Sequence, residues 1–175
     1  MLPVSRFRVG LHVKEVGLVM GTMKLIAHRG NTEGPDPTME NRPEYIDLAV
    51  AKGFDVEIDV WVVDGDVWLG HDGPQYKVPV QFLYERAAIL WCHAKNLAAL
   101  QFLLKIDLHV FSHDNDDYIL TSKGCIWAYP GKPITNDTIC VMPERASYSH
   151  EELRNCRGIC SDLVSQIRLE ILGRA

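Results

Sequence analysis

The sequence has no uninterrupted apolar run near the roughly 20 residues that a membrane-crossing helix needs, so no transmembrane segment is expected. It has no basic excess either: 18 lysines and arginines stand against 23 aspartates and glutamates, a formal net charge of −5. Nonspecific nucleic-acid binding needs a basic surface, so the expected partner is a small molecule and not a nucleic acid. The five cysteines, Cys92, Cys125, Cys140, Cys156 and Cys160, are odd in number and form no CxxC pair. A disulfide framework or a structural zinc site is therefore not expected, and buried free thiols in a reducing cytoplasm are. Internal repeats and low-complexity segments are also lacking.

What is present suits one globular domain that buries a core, with 47% hydrophobic and 23% charged residues. Residues 1–22 carry Arg6, Arg8, Lys14 and Glu15 among valines and leucines, which interrupts any secretory h-region. They are expected to be an N-terminal extension outside the fold, or else a docked extra strand. The domain is expected to occupy residues 23–175 and the protein to be cytoplasmic; its oligomeric state is left open.

Along the chain, apolar runs alternate with amphipathic ones. Lys24 to His28 reads as a buried strand, and the Gly34-Pro35-Asp36-Pro37 turn delays a helix until Pro43, which suits a first helical turn. Phe54 to Val63 reads as a strand, Asp64-Gly65 as a hairpin turn, and Val67 to Leu69 as the return toward His71. A helix around 80–87, a strand over 88–93 and a helix over 95–104 follow. Short strands are expected near Leu108 to Phe111, Tyr118 to Leu120, Cys125 to Tyr129, Ile139 to Met142 and Gly158 to Ser161, with a Ser149-capped helix and a closing helix from Leu163. This rhythm predicts a parallel α/β architecture of the TIM-type (β/α) barrel, reduced or incomplete because a full barrel takes about 250 residues.

The chemistry is concentrated between Leu25 and Asp72. Two histidines, His28 and His71, bracket a strand in which Val56, Ile58 and Val60 share one face and Asp55, Glu57 and Asp59 the other. Such an acidic row is either a solvated sheet face or, inside a barrel, an inward cluster whose mutual repulsion calls for a cation.

His28-Arg29-Gly30, Glu40-Asn41, Glu57-Ile58-Asp59 and His71-Asp72, in that order, resemble the glycerophosphodiester phosphodiesterase family, most clearly over Lys24 to Lys95. The resemblance implies a barrel of the phosphodiesterase kind and metal-dependent hydrolysis of a small, glycerophosphodiester-like phosphodiester to a phosphomonoester and an alcohol. It implies His28 and His71 as general acid and base, Arg29 and Lys95 as phosphate-binding groups, and Glu57 and Asp59 as ligands of a divalent cation, Mg or Ca. Imidazoles titrate near neutral pH and suit the proton transfers, while cationic groups offset charge on the phosphoryl oxygens.

The chain departs from the family where a glutamate is expected two residues before the lysine: His93 stands there, before Lys95. Three outcomes stay open. Glu40 or a water completes the shell, the metal moves toward Mn or Zn with His93 as ligand, or metal binding is lost. A catalytically silent phosphate- or metabolite-binding module and a lyase releasing cyclic phosphate are the alternative functions. Elsewhere, His113-Asp114 reads as a loop cap, Trp127 to Pro130 as packing and Glu144 as a weak rim candidate; His12, His109 and His150 receive no role.

Overall fold

The computed structural model describes residues 23–173, so the expectation for residues 1–22 lies outside the described residues. Ten strands run in chain order as β1 (Lys24–His28), β2 (Asp55–Val63), β3 (Asp66–Leu69), β4 (Tyr76–Val78), β5 (Leu90–Ala94), β6 (Val110–Phe111), β7 (Tyr118–Leu120), β8 (Ile126–Ala128), β9 (Thr138–Val141) and β10 (Gly158–Ser161). The α-helices are α1 (Pro43–Ala51), α2 (Val80–Glu85), α3 (Leu97–Lys105), α4 (His150–Asn155) and α5 (Val164–Leu172).

Local chemistry accounts for most element ends. Pro43 opens α1, the Asn96 side chain caps α3 by accepting from the Ala99 N–H, and Ser149 with Glu152 forms the capping box of α4. Asp64 and Gly65, both at positive φ, make the tight β2–β3 turn.

The strands form one mixed sheet curled into a half-barrel, with β2–β1–β10–β9–β8 as its parallel spine, β5 and β6 continuing in parallel from β2, and β3, β4 and β7 antiparallel. The expected TIM-type (β/α) barrel is therefore incorrect. That barrel follows every parallel strand with a helix, whereas Val110 to Val141 holds four strands and no α-helix among the described residues. The polar run Ser112 to Asp117 and the breakers Gly124, Pro130, Gly131 and Pro133 leave no apolar helical face to pack on the sheet.

Strand parity divides the core. Val56, Ile58 and Val60 pack outward against α1, α2 and α3, and Cys140 and Ile159 meet α4 and α5. A separate cluster with no helical member, including Ile26, Trp91, Phe111, Trp127, Val141 and Cys160, fills the concave side. Asp55, Glu57 and Asp59 have the inward parity. All five cysteines are buried and free. No helix of the described residues is long and apolar enough to cross a membrane.

Candidate functional site

Register builds the site. His28 on β1 lies beside Glu57 on β2, and Asp59 on β2 lies beside His93 on β5, so three adjacent parallel strands present these four side chains at their C-terminal ends. His28, Glu57 and His93 open on a cleft of about 390 Å³ also lined by Arg29, Glu40, His71, Lys95, His113, Tyr129, Arg145 and Asp162, with Asp59 fully buried beside them. His71 arrives from the loop after β3. A side chain at Gly70 (φ +146°) would meet the Gly73 carbonyl at 2.2 Å, and the Gly70 carbonyl accepts from Trp61 Nε1 at 2.7 Å, so the approach is sterically fixed.

Glu57, Asp59 and His93 offer ligand atoms that all lie within 4.8 Å of one another. Burial and the neighbouring Asp59 push the Glu57 carboxyl well above the usual range. Burial alone would raise Asp59 too, but His71, His93 and Arg29 outweigh it and hold Asp59 well below the usual range. Asp59 Oδ2 accepts from Asn41 Nδ2 at 3.0 Å and His71 Nδ1 at 3.2 Å. Its Oδ1 is buried without a well-formed hydrogen bond, and His93 Nδ1 at 3.0 Å and Lys95 Nζ at 3.5 Å act on it electrostatically. Burial pushes His93 down, favouring the neutral ring that a ligand needs. An orphaned carboxylate oxygen among two carboxyls and a neutral imidazole fits a divalent cation, and the nitrogen donor suits Mn or Zn better than Mg or Ca.

Arg29 sits at the centre of the charge network. Its backbone is left-handed (φ +54°) and is held by its N–H to the Glu57 carbonyl at 2.9 Å and by the Asn41 N–H to its own carbonyl at 3.0 Å. The guanidinium donates from Nη1 to Glu40 Oε2 at 3.0 Å and from Nη2 to His71 Nε2 at 3.2 Å, and Nε lies 3.1 Å from Asp59 Oδ2. Glu40 is thereby engaged: its second oxygen accepts from Asn31 Nδ2 at 3.0 Å, and it is not among the three clustered ligand groups.

The two histidines are oriented by carboxylates. His28 Nδ1 donates to Asp162 Oδ1 at 2.8 Å, which leaves Nε2 of the neutral ring as a lone pair facing the cleft, 3.9 Å from Glu57. His71 Nδ1 faces Asp59, and its Nε2 lies 3.6 Å from Asp72.

Several contributors were not assigned roles from sequence. Asp162 is one; burial would raise its carboxyl, but hydrogen bonds from His28 and Asn31, with Arg145 3.6 Å away, hold it low. Its signal was its place directly after an apolar strand, the same signal that marked His28. Asn31 and Asn41 are fully buried and tie the loop after β1 to Glu40, Asp59 and Asp162. His113 does touch the Asp114 carbonyl as a loop cap, but it also lines the cleft, stacks on His93 with ring centroids 4.5 Å apart and contacts the Tyr129 hydroxyl. Trp127 is core packing that also reaches the cleft, whereas Glu144 stands behind it, accepting from Ser161 and the Asp162 N–H.

Comparison with protein-family models, with curated proteins and with solved structures finds no match.

Proposed function

We propose that the protein is a metal-dependent phosphodiesterase acting on a small phosphodiester of the glycerophosphodiester type. The observation that carries this reading is Asp59 Oδ1, a buried carboxylate oxygen with no hydrogen bond inside the Glu57, Asp59 and His93 cluster. A divalent cation held there would neutralise charge on the phosphoryl oxygens. Arg29 and Lys95 bring two further positive charges to the same cleft and would orient the phosphate.

The proton steps follow from tautomers. With Nδ1–H committed to Asp162, His28 Nε2 accepts the proton of the attacking hydroxyl as the new P–O bond forms. A phosphate that draws the Arg29 guanidinium away frees His71 Nε2. Carrying a proton at Nε2, His71 then returns it to the leaving oxygen as the old P–O bond breaks. The family resemblance implies a vicinal hydroxyl as the first nucleophile, and cyclic phosphate released at that stage would make the protein a lyase.

One observation favours a second reading, a silent phosphate-binding module: Arg29 and Lys95 already lie near Asp59 and partly compensate its charge without a metal. Incubating the full chain with glycerophosphocholine and with a bis-aryl phosphodiester, across magnesium, calcium, manganese and zinc, separates the two. Turnover lost in His28→Ala and His71→Ala supports the enzyme. No turnover with any metal, or turnover indifferent to both substitutions, rejects it.

A further inference from the structure

A second pocket, of about 290 Å³, opens at the opposite, N-terminal ends of the parallel strands and shares no lining residue with the cleft. Its charged lining is Lys24, Lys123 and Arg157 against one carboxylate, Asp55, in a chain whose overall charge is negative. Asp55 is already committed, since Oδ2 takes both Lys24 Nζ at 3.0 Å and the Trp91 indole N–H at 3.1 Å. Lys123 pairs with Asp107, which is not part of the lining, so an anion in the pocket would have to draw it from that partner. Arg157 has no carboxylate within ion-pair distance among the described residues. Ala87 and Ala88 keep one wall small, so the volume is not filled by side chains of its own.

His109 also lines this pocket. Its ring lies on Trp91 with centroids 3.9 Å apart, and its Nε2 is 2.7 Å from Thr121 Oγ1. Burial, followed by the charges of Lys123, Arg157 and Lys24, pushes this imidazole down to about 4. All three cations act on one imidazole in the lining of one cavity. A lining with three cationic side chains and one carboxylate is the complement of a small anion.

We propose that this basic pocket is a binding site for a small oxyanion of the phosphate class, free phosphate or a phosphomonoester, held by Lys24, Lys123 and Arg157. The guanidinium of Arg157 supplies the forked donor pair that matches a phosphate edge, and the two lysines act as point charges. The volume of about 290 Å³ accommodates a phosphate with a small alcohol attached. Because the pocket and the cleft are separate, this binding stands or falls independently of phosphodiester hydrolysis.

The test follows the His109 ring resonances of the full 175-residue chain during titration with inorganic phosphate at about pH 8, where inorganic phosphate and phosphomonoesters are both mostly dianionic. A parallel titration of Lys95→Ala removes a phosphate-binding group of the cleft. The expected result is a saturable shift of His109 in both proteins, weakened about tenfold or more by Arg157→Glu and by Lys123→Glu, with circular dichroism unchanged. Glycerol phosphate as a second titrant separates the sources: tighter binding than phosphate assigns a phosphomonoester, equal or weaker binding assigns free phosphate. A shift that chloride of equal ionic strength reproduces, or that survives both charge reversals, overturns the proposal.

Discussion

Asn41 grips Asp59 twice: its Nδ2 donates to Asp59 Oδ2 at 3.0 Å, and its Oδ1 accepts from the Asp59 backbone N–H at 2.9 Å. Asn41 is fully buried at φ +63°, a left-handed conformation that asparagine tolerates better than most residues. The loop after β1 is thereby locked to the strand that carries both candidate metal-binding carboxyls.

Asn41→Ala leaves the Asp59 N–H buried without a partner and places alanine at positive φ. The expected cost is about 2–4 kcal/mol in urea unfolding, together with weaker divalent binding by calorimetry. Asn41→Gly relieves the backbone strain but not the lost hydrogen bonds, so it should recover part of the stability and none of the metal affinity. Full recovery of both by glycine would assign Asn41 a purely conformational role.

In the proposed reaction Asp162 would act through His28, whose Nδ1 it holds at 2.8 Å. In Asp162→Asn the amide can donate to Nδ1, leaving Nε2 protonated and unable to act as base. The rate constant kcat should fall about 10²–10⁴-fold while KM changes little. An unchanged kcat with raised KM would instead assign Asp162 to substrate binding.

In the proposed metal site His93 would set the hardness of the donor set. Replacing it with a carboxylate, His93→Glu, restores an all-oxygen donor set and should raise magnesium and calcium affinity relative to zinc in competitive calorimetry. The metal-free protein should lose stability, because a third carboxyl joins the buried Glu57 and Asp59. An unchanged metal preference would remove His93 from the ligand set.

His109 makes stability depend on pH. Its imidazole is lowered from the ordinary 6.5 to about 4, so between these values the unfolded chain binds a proton that the folded chain refuses. Stability from this group is complete above about 6.5 and falls as pH drops toward 4; because the ring is partly solvated, the loss should be on the order of 1 kcal/mol. His109→Gln should flatten the difference between unfolding midpoints at pH 7 and pH 5. A wild-type difference that survives the substitution would place the dependence elsewhere.

Much of this site was legible because it depends on parity and on strand ends. The alternation of Val56, Ile58 and Val60 with Glu57 and Asp59 fixed which side chains share a face, and His28 and His93 were legible as residues ending apolar strands. The barrel was not legible. Helical crossovers hold at β1–α1–β2, β5–α3–β6 and β9–α4–β10, but the short strands from Val110 to Val141 are joined by turns and loops whose pairing depends on distant partners. Asp162 was not legible for the same reason: it is 134 residues from the histidine it orients, and nothing local to it specifies that contact.

The central claim is that Glu57 and Asp59, with His93, bind a divalent cation. The most direct measurement is calorimetric titration of metal-stripped protein with manganese, comparing wild type, Glu57→Gln and Glu144→Gln. Saturable binding of one ion, weakened about tenfold or more by Glu57→Gln and unchanged by Glu144→Gln, is the expected result. Equal effects of the two substitutions, or no binding by the wild type, would contradict the claim.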